Sequence, residues 1–367
     1  MNVYYISRWG QGGEHPFVDR VGIPQDQITG NTDLTSTWKY PVYIMHGWGQ
    51  PIKDKARIVK QRLSRALPTF VFYDYSYEAG LGLGGMQEVA DLVQSWGLSA
   101  QHHLLWSLNS AARDHVKSHR VCLWDYYAVD AVYRLAEVAP SQLAISQRQP
   151  YLNFLAAKLE LKPTRLWALY SLWRCGLLKG AQLGLLATEQ GLAQHRGLIK
   201  DQQFWTWLWA NLGPRDHVMI AQDNNSITAK GYPYDAKIYE QSVVSYVCET
   251  NGVDWGGPDE FITEKTYRPI MNRSPLVVQA GSTTLDWLVS QGFDVYKKYT
   301  GNPNYGQHRG GWSHIPRCVE AAQRLLTYCQ THADQIQAIA DSNYNNLVEI
   351  ARRDRQRIRQ FIGLPPT

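Results

Sequence analysis

Several features that define common protein classes are missing from this chain of 367 residues. Its cysteines number five, an odd count, and no two have Cys-x-x-Cys spacing, so we expect reduced and mostly buried thiols. No window approaches the roughly 20 apolar residues that span a bilayer, and residues 1–8 show neither a signal peptide nor an anchor. We therefore expect a soluble, cytoplasmic protein.

Two motifs that are common in nucleotide-dependent enzymes are absent as well. No aspartate is followed by another aspartate two positions later, so the chain has no Asp-x-Asp pair to hold a divalent ion on a pyrophosphate. No Gly-x-Gly-x-x-Gly follows a strand-like segment, and in the nearest match, residues 80–85, the last two glycines are adjacent. These absences favour a site without an essential metal and disfavour an ordinary nicotinamide enzyme.

Aromatic residues and positive charge are, in contrast, plentiful. Aromatics make up 12% of the chain, with 14 Trp and 22 Tyr, and the formal net charge is +5. Most of the rings are expected in the core, but sugars and nucleobases also stack on such side chains. The positive charge suits an anionic ligand and does not by itself indicate nucleic acid.

Strand-like and helix-like segments alternate in both halves of the chain, which favours the α/β class. We predict two parallel-sheet domains, at 1–145 and 146–335, that face each other across a cleft, and a helix at 336–367 that crosses back to the first domain. An α+β chain with one nucleotide domain is the main alternative. Strands are predicted at 3–6, 42–46, 70–74, 121–125, 243–248, 275–278 and 292–296, and the clearest helix at 163–174.

The most informative segment is 261–269, Phe-Ile-Thr-Glu-Lys-Thr-Tyr-Arg-Pro, which lies between two apolar strand-like runs. Ligands of open α/β sheets lie at the carboxyl ends of strands, beside helix N-termini whose free N–H groups attract anions. In this position Glu264 is expected to bind ribose hydroxyls, and Lys265 and Arg268 to bind phosphate. Pro269 predicts that the helix starting here is short or kinked.

The same region resembles the sugar-donor-binding half of the α-1,3-fucosyltransferase family. The resemblance is carried by Glu249 with Asn251, by residues 261–265, by Leu285 to Phe293, and more weakly by residues 152–165. It differs from the family in Thr250, which separates the Glu from the Asn, in a longer loop at 251–260, and in Arg268-Pro269. That last pair looks more like related proteins of bacteriophages. The first 140 residues match no family that we recognise.

The resemblance implies two Rossmann-like domains in a GT-B arrangement, with the acceptor side at 1–145 and the nucleotide-sugar side at 146–335. It further implies an inverting sugar transfer from a nucleoside-diphosphate sugar, a GDP-sugar first, without a cofactor or an essential metal. The resemblance, together with the place of segment 261–269 after a buried strand, gives the expected sugar-donor-binding residues. They are Asn153, Arg165, Glu249, Asn251, Thr263, Glu264, Lys265 and Arg268.

Inverting transfer requires a general base on the acceptor side, and cations or N–H groups at the leaving diphosphate. The base candidates follow the strands of the first half, with Glu78 as first choice and Asp74 as second. Further candidates are His46, Asp125, Glu14 and Asp19. For the leaving group we expect Lys265, Arg165 and Arg268 together with the helix N-terminus at Thr263.

Two acceptors stay open: a glycan hydroxyl, or a hydroxymethylated base in DNA of the phage type, which would have to leave the base stack. The arginine-rich run 352–359 is expected to be a packed terminal helix with a solvated face, or else a peripheral contact with a membrane surface or nucleic acid. The alternative of a different class is a non-catalytic sugar- or nucleotide-binding protein that keeps the fold.

Overall fold

The fold was obtained as a computed structural model, in which the chain divides into two compact units. The first unit comprises Met1–Val129 together with Ile350–Thr367, and the second comprises Asp130–Glu349. The sequence placed the boundary near residue 145 and separated the segment from 336 onward. The residues that the structure describes are 3–6, 21–29, 42–46, 56–74, 91–98, 103–106, 120–122, 125–135, 140–158, 162–187, 189–211, 218–220, 237–249, 262–281, 283–301 and 312–365.

The first unit is built on a parallel sheet of six strands in the order β2-β1-β3-β4-β5-β6. Its register places His46, the last residue of β3, opposite Tyr73, so the carboxyl ends of β3 and β4 lie side by side. The strands are β1 (Val3–Ile6), β2 (Ile28–Thr29), β3 (Val42–His46), β4 (Thr69–Asp74), β5 (His103–Trp106) and β6 (Arg120–Cys122), and the helices are α1 (Ala56–Leu63) and α2 (Tyr126–Leu135), whose end passes into the second unit.

The second unit has a five-stranded sheet in the order β11-β10-β7-β8-β9, in which only β9 is antiparallel. β10 and β11 are buried along their whole length, as continuous apolar strands of parallel sheets are. The parallel sheets confirm the α/β class. The strands are β7 (Leu152–Lys158), β8 (Gln182–Ala187), β9 (Val218–Ile220), β10 (Val244–Cys248) and β11 (Leu276–Gln279).

The longer helices of the second unit cover residues 163–174, 202–211, 315–331 and 333–361. The predicted helix at 163–174 is confirmed with the same bounds, with Pro163 at its first position and Gly176 in the left-handed region just after it. The helices are α3 (Pro163–Arg174), α4 (Glu189–Ala193), α5 (Gln202–Asn211), α6 (Lys237–Glu240), α7 (Glu264–Met271), α8 (Thr284–Ser290), α9 (Lys297–Thr300), α10 (Ile315–Thr331) and α11 (Ala333–Phe361), the last ending in the first unit.

The strand predicted at 292–296 is wrong, because this segment is irregular. Its backbone bonds to a helix instead of a neighbouring strand. The amide of Asn343, on α11, accepts from the N–H of Asp294 at 2.8 Å and donates to the carbonyl of Asp294 at 2.9 Å. A buried asparagine thus supplies both hydrogen bonds that a strand partner would supply.

Two further features concern the described part of the chain. None of its helices is long and apolar enough to cross a membrane. The helix α7 contains Pro269 and is short, as this proline predicted; every residue from Lys265 to Met271 is buried, and the helix packs on β10 and β11. Because α7 packs on these two strands, its first turn lies beside the end of β10, where the candidate site is found.

Candidate functional site

The site is centred on Glu249, the first residue after β10, which is 2% exposed. Its carboxylate accepts three hydrogen bonds from the start of α7. Oε1 accepts from the backbone N–H of Thr263 at 3.0 Å and from Thr266 Oγ1 at 2.5 Å, and Oε2 accepts from Thr263 Oγ1 at 2.6 Å. The carboxylate is therefore a resident anion at a helix N-terminus, where the helix dipole favours negative charge.

Thr263 is the N-cap residue of α7 and also links the other groups of the site. Its extended backbone begins the helix, and its hydroxyl oxygen accepts from the N–H of Lys265 at 3.4 Å. The same oxygen accepts from Lys265 Nζ at 2.7 Å while donating to Glu249. The N–H of Thr263 binds Glu249 and the N–H of Lys265 binds Thr263, so an anionic ligand would have to displace these partners to reach the two donors.

Lys265 is 8% exposed, and its ammonium lies between two carboxylates. Nζ is 3.3 Å from Glu264 Oε1 and 3.8 Å from Glu249 Oε2. Burial raises the pKa of Glu264, but the charges of Lys265 and Arg268, helped by hydrogen bonds, outweigh burial and hold its pKa below the usual value. Glu264 is therefore ionised at neutral pH, and with a side chain 24% exposed it is the most accessible of the three charged groups.

Arg165 comes to the same place from α3. It is 5% exposed and its Nη2 donates to the carbonyl oxygen of Glu249 at 3.2 Å. The neighbouring Thr164 accepts from Gln279 Nε2 at 3.5 Å, and the carbonyl of Gln279 accepts from the N–H of Glu249 at 2.9 Å. The N-terminal turns of α3 and α7 therefore meet at the carboxyl ends of β10 and β11, which is where α/β sheets form their ligand sites.

The structure does not bring Asn153 to this cluster. In the parallel register Asn153 is paired with Ser245, near the amino end of β10, and Glu249 follows Ser245 by four residues. At about 3.3 Å per residue the two positions lie roughly 13 Å apart along the sheet. Asn153 is fully buried, and neither atom of its side-chain amide has a hydrogen-bond partner.

Most of the other predicted sugar-donor-binding residues do lie together. The cluster contains Arg165, Glu249, Thr263, Glu264 and Lys265, and Arg268 lies one turn further along α7.

The predicted bases are placed only in part. Glu78, like Asn251, Glu14 and Asp19, lies outside the described residues, whereas Asp74 ends β4 and His46 ends β3. Asp125 has a structural position, because its Oδ1 accepts from the N–H of Ala128 at 2.9 Å and so caps α2.

Two members of the cluster, Thr266 and Gln279, were missed by sequence reasoning. Thr266 is fully buried, three residues after the N-cap, and this spacing is the signal that could have identified it. Gln279 is also buried and accepts from the hydroxyl of Tyr246 at 2.8 Å. A glutamine at the end of an apolar strand carries no pattern that reveals such a role.

The arginine-rich end of α11 is engaged in part within the first unit, while Arg352, Arg353 and Arg357 are exposed. Arg359 is buried and donates through Nη1 to the carbonyls of Val21 at 2.6 Å and Gly22 at 2.9 Å. Asp354, also buried, accepts from the N–H of Asp125 at 2.8 Å and pairs with Arg353 at 3.1 Å. These contacts are those of a packed terminal helix, and a peripheral contact through the exposed arginines stays a prediction.

A separate surface recess of about 380 Å³ lies against α5. None of the lining residues that the structure describes belongs to the Glu249 cluster, and none of these is charged. The described residues of the lining are Gln202, Gln203, Thr206, Trp207, Ala210 and Asn211.

Among the residues that the structure describes, no group of three or more His, Cys, Asp or Glu side chains is placed to hold a metal ion. A comparison with models of known protein families finds none that matches this chain, and a search of curated proteins finds no match either. The function is therefore inferred from the residues and their geometry.

Proposed function

We propose that this protein is an inverting, metal-independent glycosyltransferase that moves a sugar from a nucleoside-diphosphate sugar to an acceptor hydroxyl. The observation that carries the proposal is the convergence of Lys265 and Arg165 on Glu249, at the carboxyl ends of the parallel strands β10 and β11. Both cations are nearly buried, and such cations bind a phosphate more strongly than exposed ones because water screens them less.

The charge balance of the cluster also favours an anionic ligand. Its described cations are Lys265, Arg165 and Arg268, of which Arg268 lies one turn beyond Lys265 on α7. A diphosphate carries the opposite charge and can accept hydrogen bonds from all three. In an inverting transfer the same cations would stabilise the charge that develops on the leaving diphosphate.

The remaining parts of the proposal come from the sequence. Glu78, or else Asp74 at the end of β4, is the proposed general base, and the two α/β units are proposed to adopt the GT-B arrangement with a cleft. Glu264, the most accessible carboxylate of the cluster, is the proposed ligand of the ribose hydroxyls. A GDP-sugar is the first donor to test.

The first experiment is a thermal-shift screen against GDP-, UDP- and other activated sugars. A ligand at 100 times its dissociation constant adds about 2.7 kcal/mol of stability, which a thermal shift detects readily. We expect Lys265→Met to abolish the shift and Lys200→Met, which removes an exposed lysine, to leave it unchanged. The proposal fails if no activated sugar shifts the wild-type protein, or if Lys265→Met responds as the wild type does.

A second experiment separates catalysis from binding and identifies the acceptor. Release of the free nucleoside diphosphate with each acceptor distinguishes a transferase from a binding protein that only keeps the fold. For the DNA acceptor we expect retention on duplex DNA at low salt that falls steeply as salt is added. Retention that salt does not affect, or none at all, would leave the glycan as the proposed acceptor.

A further inference from the structure

The geometry points to Glu249 as a positioning residue, which sets the places of Lys265 and Arg165 and does not itself bind the ligand. The inference deepens the proposed function and rests on it where it concerns the diphosphate. The sequence assigned Glu249 to direct sugar-donor binding, and the contacts of its carboxylate argue for a different role.

The first argument is the capacity of the carboxylate to accept hydrogen bonds. An ionised carboxylate offers about four lone-pair sites. The two N-terminal threonines of α7 fill three of them, and the ammonium of Lys265 lies 3.8 Å from Oε2. Glu249 is also 2% exposed. A ribose hydroxyl could therefore use at most the one remaining site, beside the ammonium of Lys265, and the nearly complete burial of the carboxylate stands in its way.

The second argument is that Glu249 connects three elements through separate atoms. Its side chain holds α7, its carbonyl accepts from Arg165 on α3, and its N–H donates to the carbonyl of Gln279 on β11. The two proposed phosphate-binding cations thus take their relative position from one residue. A displacement of about 1 Å at a reacting centre can cost a factor on the order of 100, so such an anchor affects binding and rate without touching the ligand.

The test is Glu249→Gln, which keeps the size of the side chain and removes its charge. An amide has one oxygen where the carboxylate has two, so it cannot accept all three hydrogen bonds. Glu320→Gln is the matched control, because it makes the same change in an exposed ion pair with Arg324 on α10. Three quantities are measured: amide hydrogen exchange of residues 262–271, the affinity for GDP and the affinity for inorganic pyrophosphate, the two affinities by calorimetry.

We expect Glu249→Gln to speed amide exchange at Thr263 and Lys265 about 10-fold or more. We also expect it to weaken the binding of GDP and the binding of pyrophosphate by factors equal to each other, because a positioning residue acts through the cations that bind phosphate. If GDP weakens while pyrophosphate does not, Glu249 contacts the nucleoside and the inference is overturned. It is also overturned if exchange in α7 stays at the wild-type rate.

The failure of the proposed function looks different. If the wild-type protein binds neither GDP nor pyrophosphate nor any activated sugar, the proposed transferase activity falls. The exchange measurement still decides whether Glu249 anchors α7, because it needs no ligand. Glu320→Gln should leave all three quantities unchanged.

Discussion

The hydrogen bond between Thr266 and Glu249 makes a strong prediction about stability. Thr266 is fully buried on α7, and its hydroxyl lies 2.5 Å from Glu249 Oε1. Thr266→Val replaces the hydroxyl by a methyl group of similar size, so it removes the bond and creates almost no cavity. Threonine and valine have similar helix propensities, so the backbone contribution nearly cancels.

The expected magnitude follows from the charge of the acceptor. A hydrogen bond to a charged group contributes about 1.5–3 kcal/mol. Oε1 keeps its bond from the N–H of Thr263, so the carboxylate is not left without a partner. We expect a loss of about 2 kcal/mol in the free energy of unfolding. For a unit of about 150–250 residues this lowers the melting temperature by roughly 4–8 °C.

The assay is urea and thermal unfolding of the full chain, with Thr206→Val as the matched control. Thr206 is also helical, but it is exposed and its hydroxyl donates to the carbonyl of Gln202 at 3.0 Å. The control should stay within about 0.5 kcal/mol of the wild type. If Thr266→Val were equally harmless, the bond would not hold α7 to β10, and our description of the cluster would be wrong.

Three other predictions address charge and burial. The pKa of Glu264 is depressed below 4.5, so its ionised form stabilises the folded state. Glu264→Gln should therefore be less stable than the wild type at pH 7 in urea unfolding. This difference in the free energy of unfolding should vanish as pH falls through the pKa of Glu264 in the folded state. Arg359→Met removes three hydrogen bonds to backbone carbonyls of the first unit, those of Val21, Gly22 and Pro365, and should cost at least about 2 kcal/mol in urea unfolding, whereas unchanged stability would refute the packed terminal helix. In mass mapping at pH 8, an alkylating reagent should modify the exposed Cys175 well before Cys318, since burial raises the pKa of Cys318 to about 12.

Some elements of the second unit follow from local patterns, although no prediction covered β7, β8, β9 or α5. Continuous apolar runs predicted β10 and β11 within one residue at each end, and Pro163 with Gly176 bounded α3. These signals are local, since they depend on burial of a short segment and on the backbone preferences of two residue types. The segment at 292–296 looked like a strand for the same reason. Its hydrogen bonds, however, go to Asn343, a residue distant in the sequence that no local pattern reveals.

The sequence predicted which segment forms the candidate site, but not which side chains contact each other there. The chain itself shows that Thr263, Glu264 and Lys265 begin a helix after a buried strand, because capping and strand signals act over a few residues. Only the tertiary structure decided that Glu249 accepts from this helix, that Arg165 joins it from α3, and that Asn153 lies about 13 Å away along the sheet. Strand register and helix packing set those distances, and both depend on contacts between residues far apart in the chain.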